Sequence, residues 1–201
     1  MGTDAEDPTD ESLMEALQSG EDAALGTLMS RWELPVKAFL ARMGVASSAV
    51  EDLSQETFVR LYQHRGKYRS GSRFKPWLLT VAGNLARNSH RWAQRHPAES
   101  LDALAEERPG GGEWLDTAGV PPDAKADAAQ LAELVRASIS RLPQTLREPV
   151  VLVDLEDLSY VEAAKVLDCS VKSVETRLYR ARNALRDALR PHLSEIGVAG
   201  E

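Results

Sequence analysis

A chain of 201 residues with a formal net charge of -7 and 43% hydrophobic residues is long enough for one domain or two small ones, and has the composition of a soluble globular protein. Its longest apolar runs, such as Val150 to Val153, are too short to cross a bilayer, and the acidic N-terminus has neither the charged start nor the apolar centre of a signal peptide, so a cytoplasmic protein without membrane insertion is expected. Cys169 is the single cysteine, which rules out an internal disulfide and a cysteine-built zinc site; His64, His90, His96 and His192 match no metal-ligand spacing, so neither a metal nor a cofactor is expected.

Charge is sorted along the chain. The first 22 residues contain eight acids, from Asp4 to Asp22, and no Lys or Arg, and residues 1–10 are expected to form a disordered acidic tail. From Glu11 onward the pattern is helical. Leu13, Leu17, Leu25, Leu28 and Met29 recur at helical spacing, and a second run extends from Val36 to Met43 before a break at Gly44. Ser47 or Ser48 can cap a third helix through Leu53, Phe58 and Leu61; Gly66, Gly71 and Ser72 interrupt it before a fourth helix from about Pro76 to Gln94. Residues 11–96 therefore read as a four-helix domain.

Its second half stands out chemically. Between Arg60 and Arg95 lie nine Lys or Arg and no Asp or Glu, interleaved with Tyr62, Tyr68, Phe74, Trp77 and Trp92. Cations that hold phosphates, next to aromatic rings on which bases stack, suit opened or single-stranded nucleic acid. A solvated basic surface over ordinary core aromatics fits the same run.

Residues 97–127 carry Pro97, Pro109, Gly110, Gly111, Gly112, Gly119, Pro121 and Pro122, with eight acids against Arg108 and Lys125. They are expected to form an extended acidic linker, either functional or a passive tether. Helical spacing returns at Leu131, Leu134, Val135, Ile139 and Leu142, and again over Val150 to Leu155; Pro149 predicts a kink or a restart between Pro143 and that run. Ser159-Tyr160-Val161-Glu162 is a capping-box sequence that starts a short helix through Ala163, Ala164 and Leu167. Asp168, Cys169 and Ser170 form a turn, and Ser170 caps a helix from Val171 to about Leu189, with Val174, Leu178, Ala181 and Leu185 inward. This is a helix-turn-helix within a second domain, residues 128–190, followed by a tail, 191–201. The outward face of its second helix offers Lys172, Ser173, Glu175, Thr176, Arg177, Tyr179, Arg180 and Arg182, a set suited to the major groove. Cys169 in the turn reads as a small, partly buried filler.

No nucleotide-binding loop, nucleophile-and-base pair or paired catalytic carboxylates are recognisable, so no catalytic residues and no enzyme activity are expected. An ordinary helix-turn-helix regulator that binds duplex DNA alone, and an adaptor whose basic stretch docks an acidic partner, remain alternatives on the residues alone.

From Glu11 to Arg190 the chain resembles the small bacterial sigma factors of the extracytoplasmic-function group, part of the sigma-70 family. Asp52-Leu53-Ser54-Gln55-Glu56-Thr57-Phe58 is similar to that family's D-x-x-Q-x-x-F signature for the clamp helices of the polymerase beta-prime subunit. The resemblance implies that Asp52, Gln55, Glu56, Phe58 and Tyr62 dock the polymerase core, with Asp52, Gln55, Glu56 and Tyr62 forming a polar stripe on one helix face. Phe74-Lys75-Pro76-Trp77-Leu78-Leu79, with Ala82, Asn84 and Arg87, is similar to the promoter-melting segment, and implies minus-ten contacts from Arg69, Arg73, Lys75, Trp77, Asn84, Arg87, Asn88 and Arg91. Trp77 also reads as a core residue between Leu61 and Val81. Leu142-Pro143, the capping-box helix and Val174 to Arg182 look like the minus-thirty-five reader, which also meets the beta flap. Asn88 and Glu175 depart from the residues commoner there; a carboxylate at 175 can accept from a cytosine amino group. The implied fold is all-α: a four-helix sigma-2-like domain and a sigma-4-like helix-turn-helix domain joined by the acidic linker. The implied function is transcription initiation on RNA polymerase core at promoter DNA under an anti-sigma factor. Net acidity further implies that the basic surfaces are screened until core separates them, so that the isolated protein binds DNA weakly.

Overall fold

A computed structural model of the chain describes residues 7–96 and 125–195, the side chains of 125–127 and 193–195 excepted. The described residues form eight α-helices and no strand, in two helical units. The calls on residues 1–6, most of the linker and the last six residues lie outside the described residues.

The first unit holds α1 (Asp10–Gln18), α2 (Ala23–Arg42), α3 (Ser47–Gln63) and α4 (Phe74–Arg95), with a 3-10 turn over Arg65–Lys67. Order begins earlier than the expected acidic tail allows: Asp7 pairs with Arg31 at 2.8 Å, and the Thr9 hydroxyl accepts from the Ser12 N–H at 3.2 Å to cap α1. The break between the first two helices falls at Gly20, where φ is +98°, and not between Met29 and Val36. Pro35 lies inside α2 on its exposed side, where water can serve the carbonyl one turn back. The cap expected from Ser47 or Ser48 is also corrected. Both serines are helical, and Ala46 takes the N-cap position without a side-chain bond. α4 starts at Phe74, which places Pro76 in the first turn, where its missing N–H costs nothing. Met14, Leu28, Phe39, Leu61, Phe74 and Leu78 are fully buried at the centre of this bundle.

The second unit holds α5 (Lys125–Ser140), α6 (Gln144–Val150), α7 (Tyr160–Leu167) and α8 (Val171–Glu195). The chain does not restart at Pro149. The proline sits inside α6, and the helix loosens at once into a π-type turn over Val151–Leu155, in which the Glu156 N–H donates to the Val151 carbonyl at 2.9 Å. A residue that offers no N–H and crowds the preceding turn is a physical reason for that local change of pitch. α8 continues beyond the expected end near Leu189, through Pro191 to Glu195.

The capping box forms as the sequence predicts. The Ser159 hydroxyl accepts from the Glu162 N–H at 3.2 Å, and the Glu162 carboxylate accepts from the Ser159 N–H at 2.8 Å. Burial raises the Glu162 carboxyl pKa, but the bonds from Ser159, with Arg73 nearby, outweigh that and hold it below the usual carboxylate value. Ser159→Ala is expected to cost the C-terminal unit about 1 kcal/mol in urea unfolding near neutral pH. Because the folded pKa is depressed, the contribution of Glu162 is full above about pH 4.3 and fades as pH falls through the folded value. The variant and the parent should therefore converge in acid.

The two units share one apolar core, joined where α7 lies across α4. Gly83 of α4 is buried against α7: a methyl group placed there would lie 3.4 Å from Val166 Cγ1 and 3.8 Å from Phe39 Cζ. Gly44, with φ at +85°, lets the Arg147 guanidinium pass where any side chain would collide with it. None of the described helices is long and apolar enough to cross a membrane.

Candidate nucleic-acid interface and docking groove

α2 and α3 leave between them an open groove of about 640 Å³. Leu25, Met29, Phe58 and Val59 give it apolar walls, and Gln55, Tyr62 and Glu51 line its rim. Val59 is 48% exposed and Phe58 only 3%, so Phe58 forms the floor while Val59 stands free. The Ser54 hydroxyl is buried at the groove without a hydrogen-bond partner among the described residues. Lys37 closes one end by pairing with Glu33 and Glu51, each at 2.6 Å, and its hydrogen bond holds the Glu51 carboxyl below its usual range. Tyr62 donates to Asp22 at 3.1 Å, and the Arg65 guanidinium stacks 4.1 Å over its ring.

Of the residues named from the signature, Gln55, Phe58 and Tyr62 line this groove, whereas Asp52 is exposed outside it and Glu56 pairs with Arg60 at 2.7 Å. Leu25, Met29 and Val59 were missed. Their signal was an apolar residue facing solvent on each of two helices, which becomes a groove only once the helices pair.

The basic loop between α3 and α4 is held from beneath by α1. Gln18 donates to the carbonyls of Arg65 at 2.7 Å and Tyr68 at 2.8 Å, Glu15 accepts from Ser70, and Glu11 accepts from the Phe74 N–H at 2.9 Å. Tyr68 is buried and donates to the Ser72 carbonyl; burial raises its phenol pKa. Arg69 and Arg73 are exposed on the loop. Trp77 is half-buried and packed against the apolar core that includes Leu61, and its aromatic neighbours are Tyr68, edge-on at 5.4 Å, and Phe74, tilted at 6.4 Å. Along α4, Asn84 accepts from Arg87 at 2.6 Å and Asn88 accepts from Arg91, so both amides orient arginines.

In the C-terminal unit, Asp168 takes the left-handed conformation, φ +50°, that ends α7, and the Ser170 hydroxyl accepts from the Ser173 N–H at 3.2 Å to begin α8. Val174, Leu178 and Ala181 are buried, which turns Lys172, Thr176, Tyr179 and Arg180 outward; Tyr179 is 70% exposed. Ser173, Glu175 and Arg177 are half-buried at the edges of that face. Lys172 pairs with Glu175 at 3.2 Å. Arg182 is tied to Asp154 on the π-type turn at 2.5 Å, and this bond raises its pKa.

The two regions are not independent. Arg73 of the loop pairs with Glu162 of α7 at 2.9 Å, and Lys75 pairs with Glu156 at 3.0 Å. Arg87 donates to the Val166 carbonyl at 2.7 Å, and burial lowers its pKa. Three of the cations assigned to the minus-ten element thus touch the C-terminal unit.

Comparison with known proteins agrees with this layout. The family description Sigma-70 region 2 matches residues 28–96, and Sigma-70, region 4 matches residues 132–185. The ECF RNA polymerase sigma-E factors of Salmonella typhimurium and Escherichia coli are each 34% identical over 190 residues, covering 93% of this chain and 97% of the relative. That of Haemophilus influenzae is 32% identical over 188 residues, covering 93% and 98%. Among solved structures, CnrH in complex with the cytosolic domain of CnrY has a TM-score of 0.62 at 26% identity, covering 90% of this chain and 97% of that one. The sigma factor RpoE of Bartonella quintana, solved with the anti-sigma factor NepR, shares the fold with a TM-score of 0.60 at 21% identity, covering 82% and 96%. The chain belongs to the extracytoplasmic-function sigma factors, the small sigma-70-type initiation factors of bacterial RNA polymerase.

Proposed function

We propose that this protein binds polymerase core through the α2–α3 groove, reads an upstream element as duplex with α8, and traps melted minus-ten bases with the α3–α4 loop and the start of α4. The observation that carries this reading is the coincidence of an apolar docking groove and a basic loop within residues 28–96, the segment matched to region 2, with an outward helix face within residues 132–185, the segment matched to region 4. Asp52, Gln55 and Glu56 supply polar contacts beside the groove and Tyr62 at its rim. Arg69, Arg73, Lys75, Arg87 and Arg91 hold phosphates, Asn84 and Asn88 set arginine geometry, and Trp77 supports the loop from within. On α8, Lys172, Ser173, Arg177 and Arg180 meet the backbone, and Glu175, Thr176 and Tyr179 lie nearest to base edges. Arg182 acts by fixing α8 to the turn that carries Asp154. Bond making is left to the polymerase, and no cofactor is assigned. The protein works in the cytoplasm and is restrained by an anti-sigma factor; the Bartonella quintana sigma factor of the same fold was solved in complex with the anti-sigma factor NepR.

Permanganate footprinting of holoenzyme on promoter fragments tests this reading. Reactive thymines upstream of the start should appear with the parent and fade with Arg69→Ala plus Arg91→Ala; footprints indifferent to both would remove the loop from melting. Glu175→Ala should change which bases are preferred in the upstream element, by about 1–3 kcal/mol at one position, while Arg180→Ala weakens all sequences alike and lowers the salt slope by about 1. Selection of binding sites from a random pool distinguishes the two.

A further inference from the structure

The loop between α3 and α4, residues 64–73, has little of its own to hold its shape. Gly66 and Gly71, the second at φ +77°, cost entropy to order, and the hydrogen bonds within the loop backbone are local: the Lys67 N–H donates to the His64 carbonyl at 2.8 Å, and the Ser72 N–H to the Arg69 carbonyl at 3.0 Å. Arg69, Ser70 and Arg73 stand exposed on it. Groups that read a base must be placed to within about 0.5 Å, which a soft loop cannot do unaided.

The missing support comes from the start of the chain. The half-buried Gln18 carboxamide donates to the carbonyls of Arg65 at 2.7 Å and Tyr68 at 2.8 Å, so one side chain clasps both ends of the 3-10 turn across 47 and 50 residues of sequence. Glu15 accepts from Ser70, and Glu11 accepts from the Phe74 N–H at 2.9 Å where the loop passes into α4. Positions 11, 15 and 18 share one face of α1, so a single helix edge follows the loop from beginning to end. That edge is itself anchored. Asp10 accepts from the Trp32 indole N–H at 2.8 Å and pairs with Arg31 at 3.0 Å, and the Trp32 ring meets Phe74 edge-on at 5.7 Å. Glu11, Glu15 and Gln18 do not line the α2–α3 groove, so their bonds serve the loop and not core docking.

We infer that Gln18 is a positioning residue for promoter reading: by clasping both ends of the 3-10 turn it fixes the base-reading loop in one shape, and so decides which melted bases the protein accepts without touching them. That role rests on the α3–α4 loop being the trap for melted bases. Preorganisation of this kind acts on discrimination, because a loop free to shift fits several bases nearly equally.

Gln18→Met keeps the length and neutrality of the side chain and removes both donors, whereas Gln18→Lys keeps donors for the two carbonyls. Hydrogen exchange in the free full-length protein reads the clasp. Loop amides between Arg65 and Ser72 should exchange about tenfold faster in Gln18→Met, since each bond contributes a factor of a few, and near the parental rate in Gln18→Lys. Holoenzyme on a pool of promoter fragments randomised across the melted element reads the consequence, with the complexes that survive a heparin challenge sequenced. Gln18→Met should lower the ratio of preferred to disfavoured bases about five- to tenfold, and Gln18→Lys should restore it. Glu15→Ala, which cuts the exposed tie to Ser70, should move the same ratios the same way by a smaller factor, and judges the brace even if Gln18→Met does not fold. Arg69→Ala, which removes a phosphate contact, should lower capture of all sequences alike. Parental loop exchange in Gln18→Met would remove the clasp; faster exchange with unchanged base ratios, or an equal loss across all sequences, would overturn the positioning role. Capture indifferent to Arg69→Ala would sink the loop as a reader of DNA, while exchange still judges the clasp.

Discussion

Val59→Glu is expected to weaken binding to polymerase core by about 2–4 kcal/mol, roughly thirty- to a thousand-fold, while leaving thermal unfolding nearly unchanged. Val59 stands half-exposed on the wall of the α2–α3 groove beside Phe58, with no ion pair or hydrogen bond to lose. A carboxylate there stays hydrated in the free protein, so the fold is spared. On docking it must be stripped of water against an apolar partner face, and an unpaired charge so buried is costly. Affinity for core, measured by fluorescence titration with labelled protein, separates the docking role from a structural one. A variant that binds core within about threefold of the parent would place the docking surface elsewhere.

Phe74→Ala carries the largest expected stability loss, about 3–5 kcal/mol, a large share of a typical domain's 5–15 kcal/mol. The ring is 1% exposed, meets Trp32 edge-on at 5.7 Å and Trp77 at 6.4 Å, and starts α4 with its N–H on Glu11. Its removal empties the centre of the N-terminal unit and frees the basic loop at the same point. Urea denaturation should show a lower midpoint, and limited proteolysis should cut between Tyr68 and Arg73. Arg69→Ala, on the same loop but exposed, should stay within about 0.5 kcal/mol of the parent. A loss under 1 kcal/mol for Phe74→Ala would mean the bundle can collapse around the gap.

The helix-turn-helix was legible from sequence because its signals are local. Ser159 and Glu162 cap one helix from three residues apart, and Asp168 to Ser170 leave room for nothing but a turn. The N-terminal bundle was legible in class but not in its breaks. Leu17 and Leu25 are eight residues apart and keep helical phase across Gly20, so the turn hid behind an unbroken pattern, while the gap in apolar spacing between Met29 and Val36 falls inside the continuous α2. Burial at Trp77 was foreseen, but its edge-on contact with Tyr68 was not, because the loop folds Tyr68 back against it. Least legible was the seam. Glu156 finds Arg42 across 114 residues, and Glu162 finds Arg73 across 89. Spacing rules reach three or four residues; the hint for such distant pairs was a basic stretch without acids in an acidic chain.

That charge imbalance also explains why one protein can carry two DNA-suited surfaces at a net charge of -7. The acids sit where they organise or cover the basic loop: Glu11 and Glu15 under it, Glu156 and Glu162 against it. Each ion pair is modest when exposed, but the buried Glu156 carboxylate serves two cations, so its loss would leave Arg42 and Lys75 together without their counter-charge.

The central claim, that the chain directs polymerase core to promoters through the α2–α3 surface, is tested most directly by run-off transcription on genomic fragments with bacterial core polymerase, comparing the parent with an Asp52→Arg, Gln55→Ala double variant. Discrete transcripts that require the protein and are lost with the double variant are the predicted result. Firm duplex binding by the protein alone, with no initiation in the presence of core, would contradict it.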